Sequence, residues 1–121
     1  MNVQRFTVPV TTDAEGAATV YSPQINALLS RIAYVKDDFA DGVGFTITEE
    51  DTGETLWTEA AVNASATRAP RQPTHSTAGV AALYAGGGAA VNDMIAVSGR
   101  IKIVIASGGA AKSGTFHFTT I

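Results

Sequence analysis

The chain has no cysteine. Neither disulfide staples nor thiolate metal sites are available to its 121 residues. Charge is scarce: 16% of residues are charged, against about 25% in an ordinary soluble domain. Such a shortage is consistent with a surface partly covered by other subunits, and equally with the abundance of small Ala and Gly residues. No apolar run approaches the roughly 18 residues needed to cross a bilayer, and Met1 to Val8 contain no apolar leader. The expectation is a protein kept in the cytoplasm, or one that leaves it within a larger particle, with no membrane partner.

Catalytic signatures are missing too. No G-x-S-x-G element occurs, and neither Gly86-Gly87-Gly88 nor Ser107-Gly108-Gly109 has the spacing of a phosphate loop. Lys112-Ser113 follows two glycines, but the first glycine of a Walker loop is absent. Asp37, Asp38 and Asp41 precede Gly42 without the alternate spacing or closing glutamate of a calcium loop. His75 and His117 stand 42 residues apart with no metal motif around them. No basic, aromatic-bearing stretch suits nucleic acid. These gaps predict a non-enzyme with no cofactor, no metal and no nucleic-acid partner.

What is present reads as strand. Ile95, Val97, Ile101, Ile103 and Ile105 are apolar at odd positions, with Lys102 between two of them, the period of a strand with one buried face. A turn rich in glycine, Ser107 to Gly114, leads to a second β-rich run, Thr115 to Ile121. The two runs predict an antiparallel hairpin at the centre of an all-β core. Upstream, Val3 to Val10 predicts a first strand, with Pro9, which cannot donate to a ladder, marking an edge strand or a strand end, and Ala17 to Tyr21 predicts a short one. Val43, Phe45 and Ile47 alternate cleanly, and Thr55 to Thr58 pairs back across a turn. Trp57, Phe45, Ile47, Ile101, Ile103, Phe116 and Phe118 are the predicted core.

Two segments resist this reading. Ile25, Leu28, Leu29 and Ile32 fit a helical period behind Ser22-Pro23, while Ile32, Tyr34 and Lys36 alternate with Ala33 and Val35. The spacing predicts a helical or irregular piece to about Leu29 and a strand from Ser30 to Lys36. A strand throughout is the competing reading. Glu59 to Asn92 holds small residues and prolines with little periodicity. Arg68 to His75 must be extended, because each proline drives its predecessor away from α. A structureless stretch this long in a compact domain is expected to be either functional or mis-assigned. Arg68, Pro70, Arg71, Pro73, His75 and Tyr84 are therefore the candidate partner-binding residues. The arginines can grip carboxylates. The prolines limit the freedom lost on docking, and Tyr84 is a side chain that a merely solvated loop does not need.

Charge is also partitioned. Residues 1–36 carry a net +1, residues 37–59 a net −8, and residues 60–121 a net +4. Either acidic turns meet basic strands within one subunit, or neighbouring subunits complement one another.

Three stretches together resemble a known group. They are Asp41 to Thr48 with the Thr52-Gly53-Glu54 turn, Pro70-Arg71 followed by Thr74 to Gly79, and Arg100 to Ala106 with Lys112 to Phe116. The pattern resembles small minor capsid, cement or decoration proteins of tailed bacteriophage heads. Ala69 stands where that pattern has an aromatic residue before the Pro-Arg pair. The length sets a single domain over residues 1–121, with the long irregular segment at 59–92 within it. The resemblance covers most of the chain from about Tyr34 onward and implies an antiparallel β-sandwich, jelly-roll-like, of about seven or eight strands. It implies a protein assembled in the host cytoplasm and carried on the virion. Its partners would be the major capsid protein and sister copies, as a dimer or trimer. A head–tail connector component and a small carbohydrate-binding module are the other readings.

Overall fold

A computed structural model describes residues 2–121, folded into ten strands. They are β1 (Gln4–Thr11), β2 (Ala18–Tyr21), β3 (Ile25–Val35), β4 (Val43–Glu49), β5 (Thr55–Val62), β6 (Ala66–Arg68), β7 (Arg71–Pro73), β8 (Asn92–Gly99), β9 (Ile101–Ala106) and β10 (Ser113–Thr120). The first sheet runs β1-β10-β3-β8-β7, with β6 pairing beside β8 on β3, and the second runs β2-β9-β4-β5. All the strand pairs are antiparallel. Setting the short β6 and β7 aside, eight strands make two four-stranded sheets, and every connection except β4–β5 crosses between them. That order is a jelly roll.

The seven predicted core residues are all buried between the sheets. Phe45 of one sheet and Phe116 of the other meet edge to face at 5.2 Å, and Tyr34 lies 5.2 Å from both rings. Phe39 extends this cluster, and its ring covers Gly114 so closely that a Cβ there would lie 2.3 Å from Cε2.

Two expectations are corrected. The run from Ile95 to Ile105 is not one strand, and it does not form a hairpin with Thr115–Ile121. It breaks at Gly99, where φ is +151°, into β8 of the first sheet and β9 of the second. β10 then pairs with β1 and β3, not with β9. The alternation runs on in phase because both strands face the same core from opposite sides. Periodicity reports a buried face, not which sheet supplies it.

The second correction is at β3, one continuous strand of 11 residues with no helical portion. Thr119 pairs with Arg31 and Thr120 with Leu29, so Ser30 is the extra residue of a β-bulge. The bulge switches the parity of the strand. Ile25 and Leu29 face the core before it, Ile32 and Tyr34 after it, and Leu28 is 40% exposed. A strand whose parity slips once imitates helical spacing.

Candidate partner-binding arm

Sequence reasoning leaves residues 59–92 irregular, and the structure orders them in two parts. The first continues the sandwich. β5 runs on to Val62, and β6 returns along β3, pairing Arg68 with Ile32 and Ala66 with Tyr34. Arg68 sits 5.3 Å above the Trp57 ring. It donates to both carboxylate oxygens of Glu59, at 3.0 and 3.2 Å, and Glu59 also accepts from Trp57 Nε1 at 3.0 Å. The carboxylate that Arg68 grips thus belongs to its own chain. Trp57 is 7% exposed and meets Phe45 edge-on at 4.7 Å, so it belongs to the core.

Arg71 is not joined to Arg68 in a clamp. It donates to the Ser30 carbonyl at 3.0 Å and to the Pro70 carbonyl at 2.8 Å. β6 pairs with β3 at residues 32–34 and β8 pairs with it at 25–29, so the bulge lies in the gap between them. Arg71 closes that gap and satisfies the bulge carbonyl, while Pro70 is buried beneath.

The second part begins at β7, where Arg71 pairs with Met94 and Pro73 with Asn92. Beyond this ladder the two chains separate and admit the 82–84 segment between them. Thr74 N–H donates to Val91 O, Val91 N–H to Ala82 O, and Ala82 N–H to Thr74 O, each at 2.9 Å. This closed ring of three backbone hydrogen bonds makes a three-way junction. Two tight loops leave it. Ser76–Val80 is closed by paired hydrogen bonds with a turn at Gly79, and Tyr84–Ala89 is closed across the glycine run. Bridges between His75 and Ala81 and between Leu83 and Ala90 flank the junction.

The result is an arm projecting from the edge of the first sheet. Residues 71–80 and 82–89 are all exposed. Val80 is 68%, Leu83 46% and Tyr84 76% exposed, so three large apolar side chains stand in water on a backbone held by its own hydrogen bonds. Pro73 and His75 lie at its base, with His75 Nδ1 3.0 Å from the Ser76 carbonyl. Of the predicted residues, Pro73, His75 and Tyr84 are thus on the exposed arm, while Arg68, Pro70 and Arg71 tie its root to the sandwich. The reading by prolines and arginines passed over one signal. From Gln72 to Asn92 the chain has 21 residues and not one Asp, Glu, Lys or Arg.

The three ion pairs found among the described residues favour the within-subunit account of the charge partition. Lys36 meets Asp41, Arg68 meets Glu59 and Arg100 meets Glu50, each joining the acidic 37–59 block to a cation outside it.

No family model and no curated protein matches the chain. Among solved structures, infectious bursal disease virus of the Gt strain shares 15% identity over 98% of this chain, with a TM-score of 0.36. The Gx strain of the same virus shares 15% identity over 99% of the chain, with a TM-score of 0.27. The chain spans 32% of the length of each of those proteins.

Proposed function

We propose that this chain is a structural protein of a virus particle, a minor capsid or cement protein of the tailed-phage type that attaches through its arm to the major capsid protein. The observation that carries this reading is the arm itself. A largely exposed segment of 21 residues without a formal charge, bearing Val80, Leu83 and Tyr84, is a surface suited to contact with protein. Its hydrogen-bonded junction means that little conformational freedom remains to be lost on docking. The jelly roll gives it a rigid base, and viral capsid and lectin domains are both built on that architecture. The sequence resemblance to phage-head cement proteins favours the first of these and names the partner. No residue is assigned a catalytic role.

The test is removal of the arm. Pro73 and Asn92 are cross-strand partners, so replacing residues 74–91 with Asn-Gly closes a two-residue hairpin there. The shortened protein should fold, melt close to the parent, and fail to load onto particles that carry the parent in many copies. Full loading of the shortened protein overturns the arm's role. Copies confined to one vertex would mean a connector, and retention on a glycan panel through Tyr84 would mean a lectin-like module.

A further inference from the structure

The outer face of the first sheet holds an arrangement that the arm does not use. Arg5 pairs with Thr119 across β1 and β10, and Thr119 pairs with Arg31 across β10 and β3. The three residues make one row on the solvent side, with a threonine between two arginines. The next row is Thr7, His117 and Ala33, with Thr7 Oγ1 3.0 Å from His117 Nδ1. Arg31 reaches this face because of the bulge. Without Ser30 as the extra residue, position 31 would share the inward parity of Ile25 and Leu29. Arg71 donates to the Ser30 carbonyl at the bulge that sets this parity.

Among the described residues, Arg68 and Arg100 each meet a carboxylate and Arg71 meets two carbonyls, whereas Arg5 and Arg31 meet neither a carboxylate nor a carbonyl. The converse imbalance lies in the β4–β5 turn of the other sheet. Glu49, Glu50, Asp51 and Glu54 gather there around what is, among the described residues, a single cation, Arg100, which pairs with Glu50 and also feels the charge of Asp51, so the turn keeps an excess of negative charge. The two patches sit on different sheets, so complementarity between them is met from one molecule to the next.

We propose that the Arg5–Thr119–Arg31 row binds the acidic β4–β5 turn of a second copy of this chain, chiefly through Asp51 and Glu54. The two patches differ, so the contact is either made twice about a two-fold axis or repeated head to tail around a ring. Each contact is exposed and weak alone, and repetition around a closed assembly strengthens it. The inference concerns the free protein and stands apart from any particle.

The test is a charge swap followed through sedimentation velocity across a concentration series. The parent should associate at low ionic strength and dissociate in high salt. Arg5→Glu with Arg31→Glu, and separately Asp51→Lys with Glu54→Lys, should each weaken self-association by roughly ten-fold or more. An equimolar mixture of the two variants should associate again, because each supplies the patch that the other has lost. Arg5→Gln with Arg31→Gln is the milder variant should charge reversal impair folding, and it should weaken association with an unchanged melting temperature. A parent that stays monomeric overturns the proposal. So do variants that associate like the parent, or a mixture that does not recover. Retention of the parent's association by the arm-shortened protein is expected, and its loss would move the contact to the arm.

Discussion

The sandwich and the arm solve the problem of order in opposite ways. The sandwich is held by what it buries. Ile25, Leu29, Ile32, Ile47, Ile101, Ile103, Phe116 and Phe118 have no exposed surface at all. The arm buries almost nothing and is held by backbone hydrogen bonds that close a ring at Thr74, Ala82 and Val91. Burial supplies most of the stability of a domain, whereas a solvent-exposed hydrogen bond adds little net. Stability should therefore reside in the sandwich and recognition in the arm, so substitutions in the two regions should fail differently.

The largest effect belongs to the centre of the sandwich. Phe116 bridges Tyr34 and Phe45 at 5.2 Å and is fully buried. Phe116→Ala should cost about 3–5 kcal/mol in denaturant unfolding. A loss below about 1 kcal/mol would show that the core is not organised around these rings. Next comes Gly114→Ala, which places a methyl group 2.3 Å from the Phe39 ring. It should cost about 1–3 kcal/mol through overpacking, and Phe39→Leu should recover part of that loss.

A smaller effect, readable through pH, belongs to Tyr34. Its hydroxyl is buried with no hydrogen-bond partner among the described residues. Burial, reinforced by the charge of Asp37, raises its pKa from 10.0 to about 12. The folded state then keeps the proton where the unfolded state has lost it. Tyr34's contribution is complete below pH 10 and falls away as pH rises toward about 12. Tyr34→Phe should remove that part of the alkaline decline. Near neutral pH it should change stability by no more than about 1 kcal/mol, toward greater stability if anything, because an unsatisfied buried hydroxyl is deleted. An alkaline decline identical in both proteins would remove Tyr34 as its cause.

The same contrast decides what could be read from the amino-acid order. Val43, Phe45 and Ile47 announce their strand because one face is buried and the other is not. Ile101, Ile103 and Ile105 announce theirs equally well, but alternation cannot say that β9 lies in the opposite sheet from β8. At β3 the pattern misleads, since one added residue at Ser30 turns strand parity into helical spacing. In the arm there is no pattern to read. Its order comes from main-chain groups, which every residue but proline carries alike, and its alanines and glycines say only that space is available. The extended course of Arg68 to Pro73 was legible through proline geometry. The roles of Arg68 and Arg71 were not, because Glu59 and the Ser30 carbonyl reach them only after folding.

The smallest expected change in stability is also the sharpest test of the contrast. Leu83 and Tyr84 lie beside the three-way junction, with their backbone bonded and their side chains in water. Tyr84 N–H donates to the Ala89 carbonyl at 3.0 Å, a bond that does not depend on the side chain. Leu83→Ser with Tyr84→Ser removes apolar surface that the free protein does not bury, so folding has no transfer term to lose. The pair should shift unfolding free energy by less than about 0.5 kcal/mol, the range of ordinary surface changes. A docking partner that buries both side chains would lose about 1.5–3 kcal/mol for each, more than a ten-fold drop in affinity. Loading onto particles should therefore collapse while the melting curve stays in place. A melting temperature that falls with loading would mean that the arm folds back on the sandwich. Unchanged loading would mean that these apolar side chains face nothing, leaving the Arg5–Arg31 row as the surface to pursue.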